Sequence, residues 1–330
     1  MSGFFSWAAG NRWIWSAIGV VVLWGILSVF AESFSLQSLS GVLTSTAFLT
    51  MVAIGQMFVV STGRGNIDLS IPSVVTFSAF VGMSIIQGSA AMVPVGVLAV
   101  VAIGAVVGSV NAFLVLRLGI PAIIATLATG YIMATAVLLA NQHFSTFAVD
   151  PVLKTLTTGK LLGFPVITLV SLVIVAFAAW VLRTRAYGRS LMAVGQNLRA
   201  AGLAGIRTDR TIFLAFFTSS VLAAVTGVLL SAYVGGAFLE MGKPYLLQSV
   251  GAVVVGGTLI YGGSSTALGT FFGALLLVLI VTTMQIAGLP AGMQDIVQGA
   301  VIIGVLALAG DLKAAGRPRR RTTGKEAAGG

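Results

Sequence analysis

The chain has 330 residues, of which 58% are hydrophobic and only 8% charged, with a net charge of +10; a soluble domain carries about 25% charged residues. A water-exposed globule of this make-up would present large apolar patches and aggregate, so composition excludes a soluble enzyme, a secreted disulfide scaffold and a disordered chain. The absence of cysteine and the presence of one histidine, His143, exclude disulfides, thiolate metal sites and histidine-cluster metal sites.

A helix that spans a bilayer needs about 20 mostly apolar residues. Ten stretches meet or approach this: 13–30, 44–62, 71–87, 93–116, 121–140, 164–182, 211–233, 248–261, 266–287 and 294–309. The expectation is an all-α polytopic membrane protein with about ten transmembrane helices. The stretches at 71–87, 248–261 and 294–309 are short, as expected of tilted, broken or re-entrant helices. In the first, Arg12 precedes the apolar run and Val29-Phe30-Ala31 resembles a cleavage site. The run exceeds the 7–15 residues of a signal-peptide core, so a retained helix is expected.

Lys and Arg collect in cytoplasmic loops. With the N-terminus inside and ten alternating helices, the inner side receives Arg12, Arg64, Arg117, six arginines from Arg183 to Arg210 and six basic residues after 309. The outer side receives only Lys154, Lys160 and Lys243. This asymmetry predicts an N-in, C-in protein and accounts for the positive charge without nucleic acid. Residues 1–310 read as the transmembrane domain. Residues 311–330 read as a disordered, basic cytoplasmic tail near anionic lipid headgroups. His143 falls in an expected outer loop.

The chain also reads as two related halves, about 13–160 and 161–310. Leu69-Ser70-Ile71-Pro72-Ser73-Val74-Val75 resembles Gln248-Ser249-Val250-Gly251-Ala252-Val253-Val254. Gly104-x-x-x-Gly108 parallels Gly269-x-x-x-Gly273, and Gly119-Ile120-Pro121-Ala122 parallels Gly288-Leu289-Pro290-Ala291, in the same order. Five helices per half would invert the second half in the membrane, as in many transporters. The two GxxxG motifs suit close helix packing, within one subunit or between subunits.

No Walker A motif is present, so the chain lacks the phosphate-binding loop of an ATPase. The loop at 183–210 holds six arginines and one aspartate. Within it, residues 197–204 suit a short amphipathic helix, with Asn197 as N-cap and Gly205 as stop. Such a helix needs a docking partner, or the loop merely sets topology. Asp68 or Ser70 is expected to cap a helix starting near Pro72, with direct contact to a ligand as the alternative. Polar side chains inside apolar spans are Gln56, Asn111, Thr126, Thr129, Tyr131, Gln248 and Gln285. Each is a candidate for lining a pathway or for interhelical glue. No charged residue is expected at mid-membrane, with Asp295 near a helix end, which argues against ion or proton coupling.

Gly188-Arg189, Ala193, Gly195, Asn197, Ala200-Ala201 and Gly205-Ile206 together resemble the coupling loop of ribose-type sugar ABC-importer permeases. Ile67-Asp68-Leu69-Ser70 resembles that family's motif after the second helix. Val253-Val254-Val255-Gly256-Gly257-Thr258, with Gly262-Gly263 and Gly269-Thr270, resembles its Gly-rich eighth helix and turn. The similarity runs from about 44 to 309. The chain departs from the family in the run Thr62 to Ser73, with two extra residues and Pro72 in place of a glycine. The resemblance implies a bacterial inner-membrane permease that pairs with a second permease subunit, as homo- or heterodimer. It also implies a cytoplasmic ABC ATPase, which carries the ATP and Mg, and a periplasmic sugar-binding protein. No cofactor or metal is implied in this chain. The implied cargo is a monosaccharide or related polyol; a nucleoside, a branched-chain amino acid or a furanosyl signal are alternatives. A stand-alone secondary transporter or channel is the rival of another class. The outer loops at 31–43, 141–163 and 234–247, with Lys154, Lys160 and Lys243, are expected to meet acidic groups of the binding protein.

Overall fold

A computed structural model describes residues 13–30, 36–144 and 148–315, with side chains described for 13–28, 38–144 and 148–304. The expected tail beyond 315 and residues 31–35 of the first outer loop lie outside the described residues. Among the described residues thirteen α-helices follow one another: α1 (Trp13–Phe30), α2 (Leu36–Ser61), α3 (Ile71–Ile86), α4 (Val93–Leu116), α5 (Ala122–His143), α6 (Pro151–Thr158), α7 (Val166–Thr184), α8 (Ala186–Gln196), α9 (Leu198–Leu203), α10 (Thr208–Val234), α11 (Tyr245–Val255), α12 (Ala267–Ile286) and α13 (Ala291–Ala315). A two-residue antiparallel pair, β1 (Lys160–Leu161) with β2 (Phe164–Pro165), precedes α7. Among the described residues, six helices are long and apolar enough to cross a membrane: α2, α4, α5, α7, α10 and α12.

Each of the ten expected stretches carries a helix, but boundaries move. α2 starts at Leu36, eight residues early, and α13 runs on to Ala315. α11 stops at Val255, well short of 261, because Gly256 and the left-handed Gly257 (φ +87°) break the helix. Two helices, α6 and α8, were not expected. α6 starts where Asp150 Oδ1 accepts the amides of Val152 (2.8 Å) and Leu153 (3.3 Å), with Pro151 in the first turn. α8 occupies what read as loop. α9 fulfils the short-helix expectation of the sequence within a residue or two. His143 is the last residue of α5 rather than part of a loop, and its Nδ1 lies 2.9 Å from Leu139 O. Its place follows from α5 continuing past 140.

α10 is the hub, packed on α2, α3 and α4. α2 is 89% buried along its most apolar window whereas α4 is 22% buried, so α2 is a central helix and α4 a peripheral one. In lipid, helices gain no hydrophobic energy by meeting, and small residues let backbones approach. Both GxxxG motifs serve this inside the subunit. A Cβ at Gly104 or Gly108 would stand 2.7 Å from α10 backbone, at Ser220 O and Phe216 O respectively. Gly269 and Gly273 sit closer still to the carbonyls of Gly256 and Ala252 at the end of α11.

Gly108→Val should therefore push α4 off α10 and cost about 1–3 kcal/mol of overpacking. It should appear as a lowered unfolding midpoint of the detergent-solubilised protein. Gly299, with no heavy atom within 4 Å of its would-be Cβ, provides the control: Gly299→Ala should leave the midpoint unchanged or slightly raised.

Candidate translocation core and coupling surface

Between α2 and α3 the chain reverses through Gly63 (φ +77°), Arg64 (φ +61°) and Gly65 (φ +73°). Asn66 fixes the turn, its amide donating to Gly63 O (3.0 Å) and its Nδ2 to Thr62 Oγ1 (2.9 Å). Residues 66–70 then run back between helices without helical hydrogen bonds. Their depth is set by α10: Asp68 bonds to Ser219, the twelfth of that helix's 27 residues, and Gly55 of α2 abuts the same serine. The segment thus reaches the middle of the bundle, and α3 starts there.

At such depth every backbone polar group needs a protein partner. Gln56 Oε1 accepts the Asp68 amide (3.2 Å), and Thr126 Oγ1 accepts the Leu69 amide (3.0 Å) while donating to Ala122 O (2.8 Å). The buried Asp68 carboxylate collects three donors: the Ser70 amide (3.0 Å), the Ser70 hydroxyl (2.5 Å) and the Ser219 hydroxyl (2.8 Å). Asn111 Nδ2 donates in turn to Ser70 Oγ (2.9 Å). One network therefore ties α2, α3, α4, α5 and α10 together.

Two sequence expectations need correction here. A carboxylate does sit at mid-bundle depth, because the re-entrant segment carries Asp68 inward; a hydropathy reading places it at a loop. Ser70 occupies the N-cap position of α3 but makes no side-chain cap bond: its hydroxyl donates to Asp68, and its oxygen accepts from Asn111 instead of from a first-turn amide. Asp68 serves the Ser70 amide, not a first-turn amide. Ser219 was missed by the sequence reading, although the Ser219-Ser220 pair inside an apolar run was an available signal.

The remaining pathway candidates divide. Thr129, buried, donates to Ala125 O in its own helix (3.0 Å). Gln248 Nε2 donates to Gln298 Oε1 (2.9 Å), joining α11 to α13. Gln248 and Gln285 also line a cavity of about 210 Å³ with Met241 and Tyr245. Tyr131 is exposed on α5. Ile67 packs against the core, and Asp295 is exposed near the start of α13.

The loop at 183–210 folds into α8 and α9. Gly188 lies against the backbone of Val181 and Leu182, and Gly195 against Ser61 O and Gly263 N, closer than any side chain would allow. Gly263 N–H donates to Ser61 O (3.2 Å), and Gln196 Nε2 to Gly263 O (3.3 Å). Arg189 Nη1 donates to Thr184 O (3.0 Å), closing the end of α7. The Tyr187 ring packs on Phe58 and burial pushes its phenol well above the usual range. Asn197 Oδ1 accepts the Ala200 amide (3.0 Å), capping α9. Gly205 (φ +81°) ends it, with the Ile206 amide donating back to Ala201 O (3.1 Å). Ala201 is buried and Ile206 half-buried, while Arg199, Ala200 and Leu203 face outward, Leu203 at 86% exposure.

A helical bundle with a re-entrant polar strand at its centre and an arginine-bearing helix pair clamped to one end defines a polytopic membrane permease core. Residues 38–306 match the family described as "Branched-chain amino acid transport system / permease component". Among similar proteins, the autoinducer 2 import system permease protein LsrC of Enterobacter sp. (strain 638) is 34% identical over 307 residues, covering 92% of this chain and 88% of that protein. The LsrC protein of Photorhabdus luminescens is 32% identical, covering 92% of each chain. That of Yersinia pseudotuberculosis serotype O:1b (strain IP 31758) is 32% identical, covering 92% and 86%. No solved structure matches. The chain belongs to this permease-component family and is a multi-pass inner-membrane permease.

Asp68→Ala would orphan the Ser70 amide and the Ser219 hydroxyl, at a cost on the order of 2–3 kcal/mol. Ser219→Ala removes one donor and should cost about 1 kcal/mol. Thermal unfolding of the purified variants should rank them in that order.

Proposed function

We propose that the chain is the membrane-spanning half of an ABC importer for a sugar-like, furanosyl solute of the autoinducer 2 kind, driven by a separate ATPase. The observation that carries this reading is the near end-to-end likeness to proteins named as autoinducer 2 import permeases. The missing Walker A motif fits a transport subunit that relies on a partner for ATP hydrolysis. A periplasmic binding protein would deliver the solute, and a second permease, identical or related, would complete the pathway.

The proposed topology has ten spans, N-in and C-in, in two inverted halves. Packing supports the repeat. α10 packs on α3 and α4, and its counterpart α2 packs on α11 and α12. The pairs α3–α4 and α3–α5 are matched by α11–α12 and α11–α13. The first helices depart from this symmetry, since α1 packs on α12 while α7 packs mainly on α2.

The α8–α9 pair is the proposed ATPase dock. Its inner side is locked to the bundle through Gly188 and Gly195, and its outer side offers Arg199, Ala200 and Leu203. ATP-driven motion of the dock would bias the bundle between two states. On the outer side, Lys243 already pairs with Glu240 (3.2 Å), both well exposed. Lys154 and Lys160 remain the exposed basic groups for an acidic binding-protein surface.

Affinity purification of the tagged chain from native membranes tests the assembly: an ATPase and a solute-binding protein should copurify. Deleting the chain should abolish uptake of autoinducer 2, with D-ribose as the comparison solute; retained uptake of both would refute the substrate reading. Uptake by the chain alone in ATP-free liposomes would make it a secondary transporter or channel. Leu203→Glu should lose the ATPase while keeping the unfolding midpoint. Gly195→Val should lower both, because its side chain has no space between Ser61 and Gly263.

A further inference from the structure

The geometry points to an aqueous half-site for a hydroxylated ring solute between α3, α5 and the loop before α11, with Tyr131 as its aromatic platform. The inference rests on the importer reading and names the surface that the solute meets. The pocket holds about 550 Å³ and is an open groove at the subunit surface, in the size range of small-molecule sites. Pro72, Ser73 and Thr76 come from the first turns of α3, Tyr131 and Thr135 from the middle of α5. Glu240 and Lys243 stand at its edge.

Depth is the first argument. Tyr131 follows Gly130, whose would-be Cβ lies 3.3 Å from Leu69 O and 3.4 Å from Ser70 Cα. Tyr131 is thus level with the Asp68 network, at the middle of the bundle. Tyr131 is 68% exposed, and its hydroxyl has no hydrogen-bond partner among the described residues. Tyrosines that face lipid gather at the bilayer interfaces, where the hydroxyl is wet. A phenol turned outward at mid-depth would be an unpaired hydroxyl in hydrocarbon, which is costly. The face must instead meet water, a solute or a second subunit.

The second argument is the company Tyr131 keeps. Ser73 on α3, half-buried, also makes no side-chain hydrogen bond among the described residues, and it lies beside Gly130. Across the groove, the Gly242 amide donates to Thr76 Oγ1 (3.0 Å), and Gly242 abuts Pro72 O. This contact holds the 239–244 loop against the start of α3, so that Glu240 and Lys243 overhang the same groove. A flat ring, two uncommitted hydroxyls and a charged pair at the edge suit a solute with apolar C–H faces and a polar hydroxyl rim. Such a solute would stack on Tyr131 and exchange hydrogen bonds with Ser73 and the ion pair. The mostly apolar remainder of the wall keeps binding weak, as release demands.

The chain contains no cysteine, so single cysteines can be placed in the natural background. In the assembled transporter in membrane vesicles, Tyr131→Cys, Ser73→Cys and Phe177→Cys are treated with a charged methanethiosulfonate on both faces. Phe177, exposed on α7, is the lipid-facing control. Labelling at positions 131 and 73 should exceed that at 177 by at least tenfold. Equal labelling would overturn the aqueous groove. Uptake of autoinducer 2 should fall at least tenfold in Tyr131→Ala and stay within threefold in Tyr131→Phe, with copurifying ATPase unchanged in both. Unchanged uptake in Tyr131→Ala would overturn the solute contact. Absence of uptake in the unsubstituted transporter would count against the substrate reading instead, and the labelling ratio would still decide the groove.

Discussion

The structure depends on satisfying a stretch of non-helical backbone in the middle of a membrane bundle. Residues 66–70 have no ladder of their own, and hydrocarbon offers no replacement partner. Gln56, Thr126 and Asp68 stand in for the missing bonds, one from each neighbouring element and one from the strand itself. Because these partners lie on α2, α5 and, through Ser219 and Asn111, on α10 and α4, the strand can be solvated only when the five helices are correctly assembled. A local need of the backbone thereby becomes a global constraint on packing. It also explains why so many polar side chains in apolar runs turn out to serve the fold.

The clamp on the α8–α9 pair follows another principle, contact between backbones. Ser61 ends α2, Gly263 belongs to the turn after α11, and Gly195 lies near the end of α8. With no side chains between them, the three strands of backbone meet directly, joined by the Gly263-to-Ser61 bond and by Gln196. Close-packed interfaces transmit displacement instead of absorbing it. Under the proposed docking, a push on the outer face of α9 would be delivered to the end of α2, which also carries Gln56 and the contact to the central segment. α2 links the α8–α9 clamp to the central network by a continuous helix, with no loop between them.

Hydropathy made the bundle legible: ten apolar stretches carry ten helices. The Asn197 cap and Gly205 stop of α9 were readable because capping is a local chemistry of a few residues. The extent of α8 was not, since Gly188 and Gly195 argue against a helix until their tertiary neighbours are known; each glycine is there for a close approach, at a price in helix propensity. The early end of α11 was masked by the apolar character of 256–261, although Gly256-Gly257 held the clue. The central network was half legible. Asp68 and Ser70 stood out as a motif, while Ser219 lies 151 residues further on and becomes a partner only through the fold. The sorting of polar residues into glue and lining depends on which face of each helix is covered, which α5 reveals by hiding Thr126 and exposing Tyr131.

Asp68 at mid-depth bears directly on mechanism. An intramembrane carboxylate is by default a candidate for proton or ion coupling, which would favour a self-sufficient secondary transporter. Its surroundings argue otherwise. A coupling carboxylate must exchange its ion or proton with water during the cycle, so it needs access and a partner that changes. Asp68 is 2% exposed and both its oxygens accept from donors of its own chain, with Asn111 holding Ser70 in place behind one of them. Among the described residues no salt bridge reaches it. The hydroxyls without a side-chain partner, Tyr131 and Ser73, line a separate groove. The carboxylate thus organises the bundle, whereas the proposed solute groove is lined by neutral hydroxyls, with Glu240 and Lys243 only at its edge. A carboxylate held in this way is poorly suited to exchange an ion or proton with water, which favours the proposed reading in which a separate ATPase drives the bundle through the α8–α9 pair.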